Sequence, residues 1–116
     1  METPKIFESE YRFCLILWET EPINSTELVR LCKERLNWSK ATTYTVIRRL
    51  CERGVIKNEG ATVSTLITKE DTQISEIEEL LEKRFEGSLP AFISAFTKKH
   101  NLSEKQISEI MKIING

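Results

Sequence analysis

At 116 residues, 40% hydrophobic, 30% charged and with a net charge of -1, the chain has the length of one compact domain, or of a small domain with an appended oligomerisation arm. Four Gly and three Pro argue against extended disorder. No apolar run approaches the roughly 18–20 residues of a membrane span, and METPKIFESEYR lacks the basic-then-apolar order of a signal peptide, so a cytoplasmic chain without a membrane partner is expected.

The first periodic segment, Ser9 to Glu19, sets Phe13, Cys14, Ile16 and Leu17 on one stripe with Tyr11 and Trp18 at its edges, which predicts a helix. Glu21-Pro22 ends it, because a residue before Pro is pushed out of the helical region. Asn24, three residues before Glu27, reads as a capping box opening a second helix that carries Leu28, Leu31, Cys32 and Leu36. Ser39 caps a third helix running to about Arg53, and Gly54 is its left-handed stop. Val55 to Lys57 and Thr62 to Ile67 read as strands joined through a turn at Asn58-Glu59-Gly60. Three helices closed by a hairpin make a winged helix-turn-helix.

From Lys69 the pattern changes. Ile74, Ile77, Leu80, Leu81 and Phe85 form one helical stripe, and Leu89, Phe92, Ile93 and Phe96 form a second after Glu86-Gly87-Ser88. Ile107, Ile110, Met111 and Ile114 form a third, opened by a Ser103/Gln106 capping box. The expected fold class is therefore mainly α, with a winged-helix domain over 1–68 and a helical dimerisation domain over 69–116. Three short helices bury little among themselves, so Ile77, Leu81, Phe85, Leu89, Phe92, Ile93, Phe96, Ile107 and Ile110 are expected to close on a second copy in a homodimer. The alternative is that they fold back on the first three helices.

Charge is unevenly spread. From Arg30 to Lys57 eight basic residues face only Glu34 and Glu52, a local +6, whereas Lys69 to Glu86 carries a local -4. Screening acts within about 8–10 Å, so a local patch matters more to an approaching phosphate than the molecular sum. On a helical wheel Thr43, Val46, Ile47 and Leu50 share the core arc of the third helix. Ala41, Thr45, Arg48 and Glu52 lie opposite, flanked by Thr42, Tyr44 and Arg49. Hydroxyls and arginines on that face suit phosphates and base edges of double-stranded DNA, and an ordinary solvated face is the plainer alternative.

The three cysteines, Cys14, Cys32 and Cys51, lie in apolar patterns without a CxxC or a neighbouring His, and read as small buried hydrophobes. A thiol or metal sensor would require them to converge in space. One His, no Ser-His-Asp set and no phosphate loop argue against an enzyme, and no metal or cofactor is expected.

Three blocks together resemble the winged-helix repressors that include the penicillinase, methicillin-resistance and copper-responsive repressors: ESEYRFCLILWETEPIN (8–24), WSKATTYTVIRRLCERG (38–54), and RFEGSLPAFISAFT (84–97) with LSEKQISEI (102–110). The resemblance implies a homodimeric repressor that binds an inverted-repeat operator. It places Ser39, Lys40, Thr42, Thr45, Arg48 and Arg49 in the recognition helix, joined there by Tyr44. It also implies a regulatory protease whose cleavage bond would match Ala95-Phe96, where Phe is kept and the family's Asn is not. The cysteine-rich tail of the copper-responsive members has no counterpart after Cys51. Ala41 and Tyr44 stand where basic residues are common, and Ala61 replaces an expected basic residue in the wing, so operator preference should differ there. The principal rival is a winged-helix protein-interaction module that does not read DNA.

Overall fold

A computed structural model describes residues 3–116. The elements in order are α1 (Glu8–Thr20), β1 (Ile23–Asn24), α2 (Ser25–Leu36), α3 (Lys40–Glu52), β2 (Ile56–Glu59), β3 (Thr62–Thr65), α4 (Lys69–Phe85), α5 (Leu89–Lys99) and α6 (Glu104–Asn115). Three helices and a small antiparallel sheet are followed by three more helices, the winged-helix architecture with a helical extension. The chain divides into two compact units at Glu76–Ile77, inside α4.

In the first unit the apolar stripes of α1, α2 and α3 meet over the hairpin. Phe13, Leu17, Leu28, Leu50, Val55 and Val63 are completely buried, together with Cys14, Cys32 and Thr43. Each large side chain contributes about 1.5–3 kcal/mol of transfer free energy. Trp38 stacks on Phe13 with ring centroids 6.0 Å apart, and the Trp18 indole N–H donates to the Ile67 carbonyl at 3.1 Å, tying the exit of the hairpin to α1.

The helix ends follow local chemistry. Glu21, just before Pro22, is extended and closes α1. Asn24 caps α2 by accepting from Thr26 N at 2.9 Å, but the Glu27 carboxylate pairs with Arg30. The expected reciprocal capping box gives way there to a charge-assisted bond, the stronger interaction. At the end of α3, Gly54 has φ +76°. Val55 N donates to Leu50 O at 2.9 Å and Gly54 N to Cys51 O at 3.1 Å, the paired bonds of a Schellman stop.

The sheet corrects the reading of the wing. Its strand order is β1-β3-β2, and β2 pairs with β3 from Ile56↔Thr65 to Glu59↔Thr62. Asn58 and Glu59 are therefore paired strand residues, and the turn is the two-residue Gly60-Ala61. Both have positive φ (56° and 65°), as a type I′ hairpin turn requires. Gly suits that conformation, whereas Ala61 is strained in it. The two-residue β1, pairing Ile23↔Val63 and Asn24↔Thr62, has no periodic signal in the sequence.

In the second unit the helix boundaries match their stripes. Ser88 caps α5 by accepting from Ala91 N at 3.1 Å, and Ser103 and Gln106 form the expected reciprocal box. An aromatic run links α4 to α5: Phe85 and Phe92 lie 5.4 Å apart edge to face, Phe92 and Phe96 5.8 Å apart, and Phe96 and His100 4.9 Å apart.

Candidate nucleic-acid interface

The third helix presents two different faces because its residues alternate in kind at helical spacing. Thr43, Ile47 and Leu50 are buried in the core, and Val46 is half-buried. Thr43 is a polar residue in this core. Its hydroxyl donates to Ser39 O at 3.2 Å, so it costs the core no unsatisfied group. Lys40, Ala41, Thr42, Tyr44, Arg48 and Arg49 are exposed, and Thr45, which the wheel places in the arc opposite the core, is half-buried.

The N-terminal end of α3 carries polar groups in fixed positions. Ser39 accepts from Thr42 N at 3.1 Å, and its hydroxyl donates to Thr42 Oγ1 at 2.9 Å. Both hydroxyls are thus held by the cap. Lys40 follows directly, and the first turn contains no acidic residue. The positive end of the helix dipole is reinforced by a cation, an arrangement that costs helix stability and favours an incoming anion.

Salt bridges reduce the basic segment from what residue counting suggests. Arg30 is shared between Glu27 and Glu34, Arg35 pairs with Glu19 at 3.1 Å, and Arg53 is bound bidentately by Glu10 at 2.7 and 2.8 Å. Arg48 reaches Glu52 only at 4.0 Å, and Lys57 reaches Glu59 at 3.9 Å. Among the described residues, Lys33, Lys40 and Arg49 form no ion pair. Three of the eight cations are therefore closely paired with carboxylates, of which Glu10 and Glu19 come from α1, and Arg48 and Lys57 are loosely paired.

Two hydrogen bonds join the wing, α2 and α3. The Ala61 carbonyl at the hairpin turn accepts from Ser25 N at 2.8 Å, and the buried Ser25 hydroxyl lies 3.4 Å from the Tyr44 hydroxyl. Tyr44 is 36% exposed, so its ring spans the rim between α3 and the start of α2. Ser25 and the Glu10–Arg53 clamp escaped the sequence reading, since each depends on partners 19 to 43 residues away.

None of the three cysteines is in a disulfide. Cys14 and Cys32 are buried and Cys51 is partly so; all three are free thiols. Burial pushes the Cys14 thiol up to about 12 and the Cys32 thiol up to about 11, which suppresses the reactive thiolate. Among the described residues no three His, Cys, Asp or Glu side chains are placed to hold a metal ion, and no helix is long and apolar enough to cross a membrane.

On the second unit, Ile77 lies on α4, Leu89, Ile93 and Phe96 on α5, and Ile107 and Ile110 on α6, each between 42% and 50% exposed. Leu81, Phe85 and Phe92 are half-buried. Phe85, Phe92, Ala95, Phe96, Lys99 and His100 line an open hollow of about 340 Å³. The Ala95-Phe96 bond lies inside α5, at the start of its last turn, where the Phe96 carbonyl accepts from His100 N at 2.9 Å.

Comparison with known proteins bears on the same features. The penicillinase repressor family model matches residues 6–116. The methicillin resistance regulatory protein MecI of Staphylococcus aureus (strain Mu50) is 24% identical over 118 residues, covering 98% of this chain and 96% of the relative. The penicillinase repressor of Bacillus licheniformis is 23% identical over 115 residues, covering 96% and 90%. A 16.5 kDa protein of Latilactobacillus sakei is 28% identical over 122 residues, covering 98% and 81%. With nearly its whole length matched by the family model and its winged helix built as described, the chain belongs to the penicillinase repressor family of transcriptional regulators, which are not enzymes.

Proposed function

We propose that the chain is a homodimeric repressor in which residues 1–68 of each copy bind one half of an inverted-repeat operator and residues 69–116 join the copies. The observation that carries this reading is the division of α3. One face is sealed into the core, while Lys40, Thr42, Arg48 and Arg49 are exposed beside a cap that leaves the helix N-terminus positive. Arg48 and Arg49 can take guanine O6/N7 or a phosphate, and Ser39, Lys40 and Thr42 would contact the backbone. Tyr44 and Thr45 lie along the same helix, Tyr44 at the rim and Thr45 half-covered.

The half-exposed apolar stripes of α4, α5 and α6 support the dimer, since an isolated chain leaves that surface in water. Regulation by a protease at Ala95-Phe96 would first require α5 to unwind, because proteases bind extended backbone and Phe96 is packed between Phe92 and His100.

Selection of bound sequences from random duplex DNA with the full chain tests the reading. An enriched inverted repeat with half-site centres about 10 base pairs apart, or a multiple of that, is expected. Enrichment of nothing at low salt would overturn DNA reading, and enrichment of single unpaired half-sites would overturn the dimer.

A further inference from the structure

The wing is stitched down along its length. Thr65 N and its hydroxyl both donate to the Glu21 carboxylate at 2.8 Å, β1 pairs with β3, and the turn carbonyl of Ala61 is held by Ser25 N. Ser25 in turn reaches Tyr44 on α3, so only two hydrogen bonds separate the turn from the rim of that helix. A duplex seated on α3 must therefore pass close to the wing tip. The residue immediately before the turn is Glu59, whose side chain is 75% exposed and lies 3.9 Å from Lys57. Lys57 is the single cation of the hairpin, and Glu59 cancels its charge.

Resting on the DNA reading above, we infer that Glu59 is a negative determinant of affinity: its carboxylate repels the phosphate backbone and occupies Lys57, so the wing adds no net electrostatic grip and binding depends on contacts made by α3. A unit charge several ångströms from a phosphate in water changes affinity by only a few-fold, but the dimer carries two copies and the effect is multiplied. Because phosphate contacts carry no sequence information, Glu59 lowers affinity for operator and other DNA alike and leaves the ratio between them unchanged. Removing the carboxylate should increase affinity for every duplex by a similar factor.

The test uses the full chain, with fluorescence anisotropy on the selected inverted repeat and on a random duplex across a salt series. For Glu59→Gln, both duplexes should be bound about three- to tenfold more tightly at low salt. The log affinity against log salt slope should steepen by about one per new phosphate contact per subunit. Glu59→Lys should extend both changes. Lys57→Ala should have little effect in the native background but should reduce the gain in the Glu59→Gln background to the part that comes from lost repulsion. An unchanged affinity and slope for both Glu59 variants, or an equal cost of Lys57→Ala in both backgrounds, would overturn the inference. Failure of the native chain to bind either duplex at the lowest salt would instead overturn the DNA reading on which it rests.

Discussion

The Glu10–Arg53 pair ties α1 to the end of α3. Glu10 is buried, accepts from Phe7 N at 3.0 Å and holds both arms of the Arg53 guanidinium, which also donates to Lys5 O at 2.5 Å. The Arg53 hydrogen bonds outweigh burial and hold the carboxyl below its ordinary value of 4.5. The folded chain thus binds this proton less readily than the unfolded chain. The stability that results is fully present above 4.5 and is lost as pH falls through the lower folded value. Glu10→Gln should cost about 1.5–3 kcal/mol at neutral pH, the range for hydrogen bonds to charged groups, and should shrink the acid-side loss. Urea midpoints for both proteins at neutral pH and below 4.5 would check this; parallel pH profiles would remove Glu10 as the source. Sequence alone did not single out Glu10. Its partner is 43 residues distant, and nothing in local spacing identifies which arginine that is.

At the scale of the element, α3 was the most legible part of the chain. Its cap, its core arc and its glycine stop all depend on interactions within about one helical turn, and each is found where the spacing places it. The outer face was less legible. Thr45 is half-covered by neighbouring structure, and the Thr42 hydroxyl is engaged by Ser39. Lys40 and Arg49, which form no ion pair among the described residues, are the cations most available to phosphates. Neutralising either should weaken binding to all duplexes alike and flatten the salt slope by about one per lost phosphate contact per subunit. A loss confined to one sequence would instead mark that residue as a base reader. The hairpin was legible as an element but not in register, because Asn58-Glu59-Gly60 has turn composition throughout, and cross-strand pairing decides which two residues turn.

Across the whole molecule, the two units differ in how far they satisfy themselves. The first buries a continuous core, whereas in the second no residue from Ile77 onward is fully buried, despite three well-capped amphipathic helices. That imbalance is what a second copy would relieve. Phe92→Asp, which sets a charge among Phe85, Phe92 and Phe96, should produce monomers in sedimentation and abolish operator binding, since one half-site provides too little energy. A native chain that sediments as a monomer at working concentrations would remove the dimer from the reading. By itself the sequence determined the helices, most of their caps and the winged-helix order, because hydrophobic periodicity and capping are local. Only the tertiary structure decided which cations are free, where the wing turns, and that Ser25 connects the wing to α3. Ion pairs and strand register join residues far apart in the chain, and neither charge counting nor periodicity records which distant groups come together.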